Sequence, residues 1–81
     1  MSHFVGMMEP RGPFPPTRKE LQALAAVVRF NGYAPAAHEL HIGMCGIRER
    51  LRRLYARLGV TSTTEALVAV GWLAVPEEYV A

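Results

Sequence analysis

The sequence predicts an all-α fold: a compact four-helix domain preceded by a flexible, proline-rich N-terminal arm. Three observations carry that prediction. Apolar residues recur at helical spacing through the body of the chain, two segments open on paired helix-capping residues, and glycines stand where helices should stop. The length agrees, since 81 residues form one small domain. Such a domain buries about sixty percent of its unfolded surface. That suits three or four short helices and leaves little room for an enclosed catalytic pocket.

Residues 1–16, "MSHFVGMMEPRGPFPP", hold four of the six prolines. Proline fixes φ and removes an amide donor, so no helix should run through this segment. It reads as an arm, with Phe4 and Phe14 as the side chains able to pack onto the body. The domain proper spans 17–73, and 74–81 form a tail whose Val75 and Tyr79, following Trp72 and Leu73, make it too apolar for a plain solubility tail.

The first helix should begin at Thr17, because Thr17 and Glu20 form a T-x-x-E capping box. Leu21, Leu24, Ala25 and Val28 then give one apolar stripe of a helix ending near Arg29. Asn31 and Gly32 tolerate positive φ and predict a turn. Pro35 fits the first position of a short second helix running to about His41, with Ala36, Ala37 and Leu40 inward and Gly43 as the punctuation after it. A third helix is expected from about Met44 to Leu58, stopped by Gly59 in a left-handed cap. The fourth opens on a second capping box, Ser62 and Glu65, buries Ala66, Leu67, Ala69 and Val70, and stops at Gly71.

Composition narrows the function. No apolar run approaches the eighteen or so residues of a bilayer span, and the opening residues lack the pattern of a secretory signal. Cys45 is the single cysteine, so no internal disulfide forms. These features lead us to expect a cytoplasmic protein with no membrane partner. The net charge of +2 is unevenly placed: five arginines and one glutamate lie between 48 and 57, while the rest of the chain has four basic and six acidic residues. A concentrated basic strip is the footprint of a polyanionic partner.

That strip is "RERLRRLYARLGV", Arg48 to Val60. At 100° per residue from Ile47, Leu51, Leu54 and Leu58 fall within about 40° and form a core face. Cys45, Glu49, Arg52, Arg53 and Ala56 occupy the opposite side, with Arg48, Arg50 and Arg57 on the shoulders. Guanidinium is a strong phosphate partner and binds guanine O6 and N7 bidentately. Two short helices and a tight turn leading into such a helix make a helix-turn-helix, which lays its second element in the major groove of duplex DNA. A plainer reading has Glu49 pairing with Arg52 and Arg53 at i+3 and i+4 on a solvated surface.

From Pro16 to Leu73 the order of residues resembles the LuxR-type helix-turn-helix domain, the output domain of quorum-sensing and response regulators. "PTRKELQAL" is similar to that family's opening, with Thr17, Lys19, Glu20 and Leu24 on matching positions. "ELHIGMCGIRERLRRLYARLGVTSTTEAL" resembles its hallmark segment, and the L-G-V-x-S-x-x-E-A run from Leu58 to Ala66 is the specific part. The resemblance implies that the third helix is the recognition helix, with DNA-contacting positions on Arg48, Glu49 and Arg52 and a phosphate-contacting position on Arg50. It also implies a homodimer through the fourth helix, at Ala66, Leu67 and Val70 with Trp72 nearby. The chain departs from the family at Gly43, where the family has serine, and at "GYAPAA" (Gly32 to Ala37), which keeps little of the usual polar second helix.

The functional expectation is sequence-specific binding of double-stranded DNA by a small dimeric transcriptional regulator. Arg48 and Arg52 reach base edges, Glu49 accepts from cytosine N4, and Arg50, Arg53, Arg57 and Lys19 hold phosphates, with Cys45 on the same outer face. The competing reading, in which RNA polymerase or a transcription factor is the partner, is a protein-interaction module on the same helices; a sigma-like fragment is a third. His38, His41 and Cys45 give neither the four ligands nor the paired spacing of structural zinc. No nucleophile–base pair or phosphate-cradling loop appears, so neither enzyme activity nor a cofactor is expected.

Overall fold

A computed structural model describes residues 15–79 as an all-helical body. Its elements are α1 (Arg18–Phe30), α2 (Tyr33–Leu40), α3 (Met44–Leu58), α4 (Thr63–Val70) and a closing 3₁₀ turn, Glu77–Tyr79. Among the described residues there is no strand, and no helix is long and apolar enough to cross a membrane. The arm expected over 1–16 lies outside the described residues except for Pro15 and Pro16.

The α1 start is a closed capping box. Thr17 Oγ1 accepts from the Glu20 amide and Glu20 Oε1 accepts from the Thr17 amide, both at 3.1 Å. Its buried face is wider than a single stripe, because Ala23 to Val27 are all buried while Leu21 and Val28 are only half-buried. A helix buried over consecutive residues is enclosed on several sides, and α1 packs against α2, α3 and the 3₁₀ turn. Alanine on three of those five positions lets the neighbouring backbones approach closely. Asn31 ends the helix in the left-handed region at φ 59°, and the Gly32 amide reaches back to the Val27 carbonyl at 3.1 Å.

Helix α2 starts two residues earlier than Pro35 suggests. The first four helical amides have no intrahelical acceptor, so a proline at the third position removes nothing that was bonded. Gly32, at φ 151°, supplies the entry geometry. The stop differs too. His41, not Gly43, takes the left-handed conformation at φ 57°, and the Ile42 amide bonds the Ala37 carbonyl at 3.0 Å. Gly43 is extended instead and serves as the N-cap of α3, with no side chain to cap it.

Helix α3 occupies the expected span, with Ile47, Leu51, Leu54 and Leu58 buried against the α1 alanines and against Ala36 and Ala37 of α2. Gly59 closes it at φ 71°. Helix α4 is capped by Ser62 Oγ, which accepts from the Glu65 amide at 3.1 Å. The Glu65 carboxylate bonds mainly one residue before the cap, Oε1 accepting from the Thr61 amide at 2.8 Å and the Thr61 hydroxyl at 3.2 Å. Of the α4 residues expected inside, Ala66 alone is fully buried, while Leu67, Ala69 and Val70 are half-buried.

Two polar contacts set the position of α3. Arg57 Nε reaches Glu20 Oε1 at 2.9 Å and Oε2 at 3.2 Å, with the two side chains 20% and 5% exposed. Glu20 thus caps α1 and anchors the end of α3 with one carboxylate. The Tyr55 hydroxyl meets Thr63 Oγ1 at 2.8 Å, tying α3 to the first turn of α4. The tail folds back on α1: Arg18 lies 5.0 Å over the Tyr79 ring and donates to the Glu78 carbonyl at 3.2 Å, while Trp72 and Tyr79 pack with ring centroids 5.3 Å apart.

Removing one partner of a buried pair strands the other charge, so Glu20→Ala should lower unfolding free energy by about 3 kcal/mol in urea denaturation. Thr17→Ala, which opens the cap but keeps the ion pair, should lose about 1 kcal/mol. Equal losses in the two variants would show that the ion pair adds nothing to the cap.

Candidate nucleic-acid interface

The three-residue turn His41, Ile42 and Gly43 joins α2 to α3 and directs α3 along the surface. Because the buried face of α3 is its leucine stripe, the opposite side faces solvent. Met44, Cys45, Arg48, Arg52, Arg53 and Ala56 are exposed, while Glu49 and Arg50 are half-exposed. Lys19, in the first turn of α1, is exposed as well.

The five arginines of α3 fall into three electrostatic classes. Arg57 is committed to the core-side pair with Glu20, and the phosphate role expected for it is withdrawn. A side chain four-fifths buried and bound through Nε to both oxygens of a carboxylate is not presented to a duplex. Arg52 and Arg53 share Glu49: Arg52 donates Nε to Oε1 at 3.1 Å and Nη2 to Oε2 at 2.5 Å, and Arg53 donates Nε to Oε2 at 2.9 Å. Arg48 and Arg50 enter no ion pair among the described residues.

The shared carboxylate carries the electrostatic signature of that arrangement. Hydrogen bonds from Arg52 and then Arg53 hold the Glu49 carboxyl below its ordinary value of 4.5, and the Arg52 guanidinium is shifted upward mainly by its hydrogen bonds to Glu49. The Tyr55 phenol on the inner edge is also raised, above its ordinary 10.0, but chiefly by burial.

The residues expected at a dimer contact do not all reach the surface. Ala66 has no exposure and belongs to the core cluster formed with the α3 leucines and the α1 alanines, so it is removed from that set. Leu67, Val70 and Trp72 are half-buried. The exposed apolar residues on this side are Val68, at 71%, and Leu73, fully exposed, neither singled out by helical spacing. Beside them Pro15, Pro16, Leu21, Leu58, Ala69, Val70 and Trp72 line an open apolar groove of about 320 Å³. Among the described residues no three His, Cys, Asp or Glu side chains gather as metal ligands would, and His38 and His41 are exposed at the end of α2.

Comparison with protein-family models, with curated proteins and with solved structures gives no match. The resemblance to LuxR-type domains therefore rests on the residues themselves.

The lowered Glu49 carboxyl gives an acid-side prediction. A depressed carboxyl contributes stability that is fully present above pH 4.5 and lost as pH falls through the lower folded-state value. A carbon-detected NMR titration should find Glu49 titrating below 4.5, and in an Arg52→Ala, Arg53→Ala double variant it should return toward that value. An unshifted Glu49 in the wild-type protein would contradict the pairing.

Proposed function

We propose that this protein binds double-stranded DNA through α3 and acts as a small cytoplasmic transcriptional regulator. The observation that carries the reading is the outer face of α3: four arginines around a single carboxylate, on a helix whose other side is core. That helix is the second of a pair joined by a three-residue turn, the placement that brings a helix to the major groove. Arg48 and Arg52 are assigned to base edges, where the fork matches guanine O6 and N7. Arg50, Arg53 and Lys19 are assigned to phosphates, which fix position without reading sequence. The resemblance to LuxR-type domains supports the roles of Arg48, Arg52 and Arg50.

One such helix buries too little surface for tight selective binding, so a dimer on a two-fold site is part of the proposal. Exposed Val68 and Leu73, beside half-buried Leu67, Val70 and Trp72, support contact through α4. The apolar groove favours a second reading, a module that binds RNA polymerase or a transcription factor through that side. Retention of a host protein after nuclease treatment, with no DNA retained, would select it.

Fluorescence anisotropy with a labelled duplex across a salt series tests the main reading. The logarithm of affinity should fall with the logarithm of salt at about −0.9 per neutralised phosphate. Arg53→Ala should weaken all sequences alike and make that slope shallower by about 0.9. Arg48→Ala should relax base preference, losing about 1–3 kcal/mol of discrimination at one position. Salt-independent binding, or no binding at low salt, would reject the proposal.

A further inference from the structure

The carboxylate of Glu49 stands in the middle of the face assigned to DNA, where a phosphate is the last partner it would accept. Its position is fixed by helix geometry: Arg52 lies one turn on at i+3 and Arg53 at i+4, so a single carboxylate reaches both. The engagement is complete on the Arg52 side, with Nε and Nη2 each donating to a different oxygen, and Arg53 Nε adds a third donor. This is the same forked donor set that a guanine edge or a phosphate would use. Arg48 and Arg50, on the shoulders of the same helix, make no such pair among the described residues.

We propose that Glu49 is the specificity-determining residue of this interface, acting as an internal anion that holds Arg52 and Arg53 until a duplex offers its carboxylate an amino donor. The inference rests on the DNA-binding reading above. When Arg52 and Arg53 turn to phosphates on an arbitrary duplex, Glu49 loses its hydrogen bonds and faces the backbone as a like charge. Like-charge juxtaposition suppresses wrong partners. On a site presenting cytosine N4 in the major groove, or the equivalent amino group of adenine, the freed carboxylate accepts a hydrogen bond that offsets part of this loss. The pair is exposed, with Arg52 70% and Glu49 41% accessible, so the exchange is open to competition and not locked by burial. Specificity thus arises from a penalty on the wrong duplex as much as from a contact with the right one.

The test compares wild type with Glu49→Gln on two probes: a random-sequence duplex, and a duplex enriched from a random pool by the wild-type protein. Glu49→Gln removes the charge but keeps the side-chain size, and unaltered helical circular dichroism confirms the fold. The variant should bind the random duplex about three- to tenfold more tightly, with a salt slope steeper by about 0.9, and its preference for the enriched duplex should fall by at least the same factor. Unchanged or weaker binding to the random duplex, or a preference ratio that stays put, would overturn the proposal while leaving the DNA-binding reading intact. If neither protein binds either duplex at low salt, both readings fall together.

Discussion

The buried ion pair between Glu20 and Arg57 is the constraint on which the surface of this protein depends. A short amphipathic helix held only by a leucine stripe has some freedom to rotate about its axis. The Glu20–Arg57 pair removes that freedom at the C-terminal end of α3, because the Glu20 carboxylate is buried, the Arg57 guanidinium is mostly so, and removing one partner strands the other. Glu20 is itself fixed by the capping box at the start of α1. The rotation of α3 is therefore referenced to a helix start on a different element. Tyr55 adds a second reference through Thr63. With the rotation set, Arg48, Arg52 and Arg53 face solvent.

One residue type performs three jobs on one helix, and burial together with spacing from Glu49 decides which. Arg57 is held where an ion pair is expensive to break. Arg52 and Arg53 share an exposed carboxylate, where water screens each pair, so their guanidinium groups remain exchangeable. Arg48 and Arg50 stand outside both arrangements. A count of arginines treats these five alike, whereas the solvent and neighbours around each one separate them. The charge available to a polyanion is smaller than the sequence total implies, and it is concentrated in the middle of α3, from Arg48 to Arg53.

Much of the fold was legible because its signals are local. Thr17 with Glu20 marks the start of α1, the leucine spacing gives the inner face of α3, and Gly59 and Gly71 mark stops at positive φ. The misreadings come from tertiary context. Ala23 to Val27 look like half a stripe, yet all are buried because α1 has neighbours on several sides. His41 takes a left-handed conformation that asparagine or glycine usually holds, so nothing at that position announces the end of α2. Arg57 lies on the shoulder of the helical wheel, and its partner is 37 residues away, a distance no periodicity reports. Ala66 and Val68 are two residues apart on a short apolar helix, where composition alone does not say which one the core takes.

The pairing of Arg52 and Arg53 with Glu49 was readable from i+3 and i+4 spacing, and so was the solvated face it belongs to. What spacing does not provide is the division between arginines that are structural and arginines that are presented. Chemical-shift mapping of the arginine Nε–H and backbone amide signals of ¹⁵N-labelled protein, titrated with duplex DNA, tests that division most directly. The account predicts that the signals of Arg48, Arg50, Arg52 and Arg53 move, with the amides at the start of α3, while Arg57 Nε–H stays in place. Perturbation confined to α4 and the apolar groove, with the α3 arginines unmoved, would contradict it.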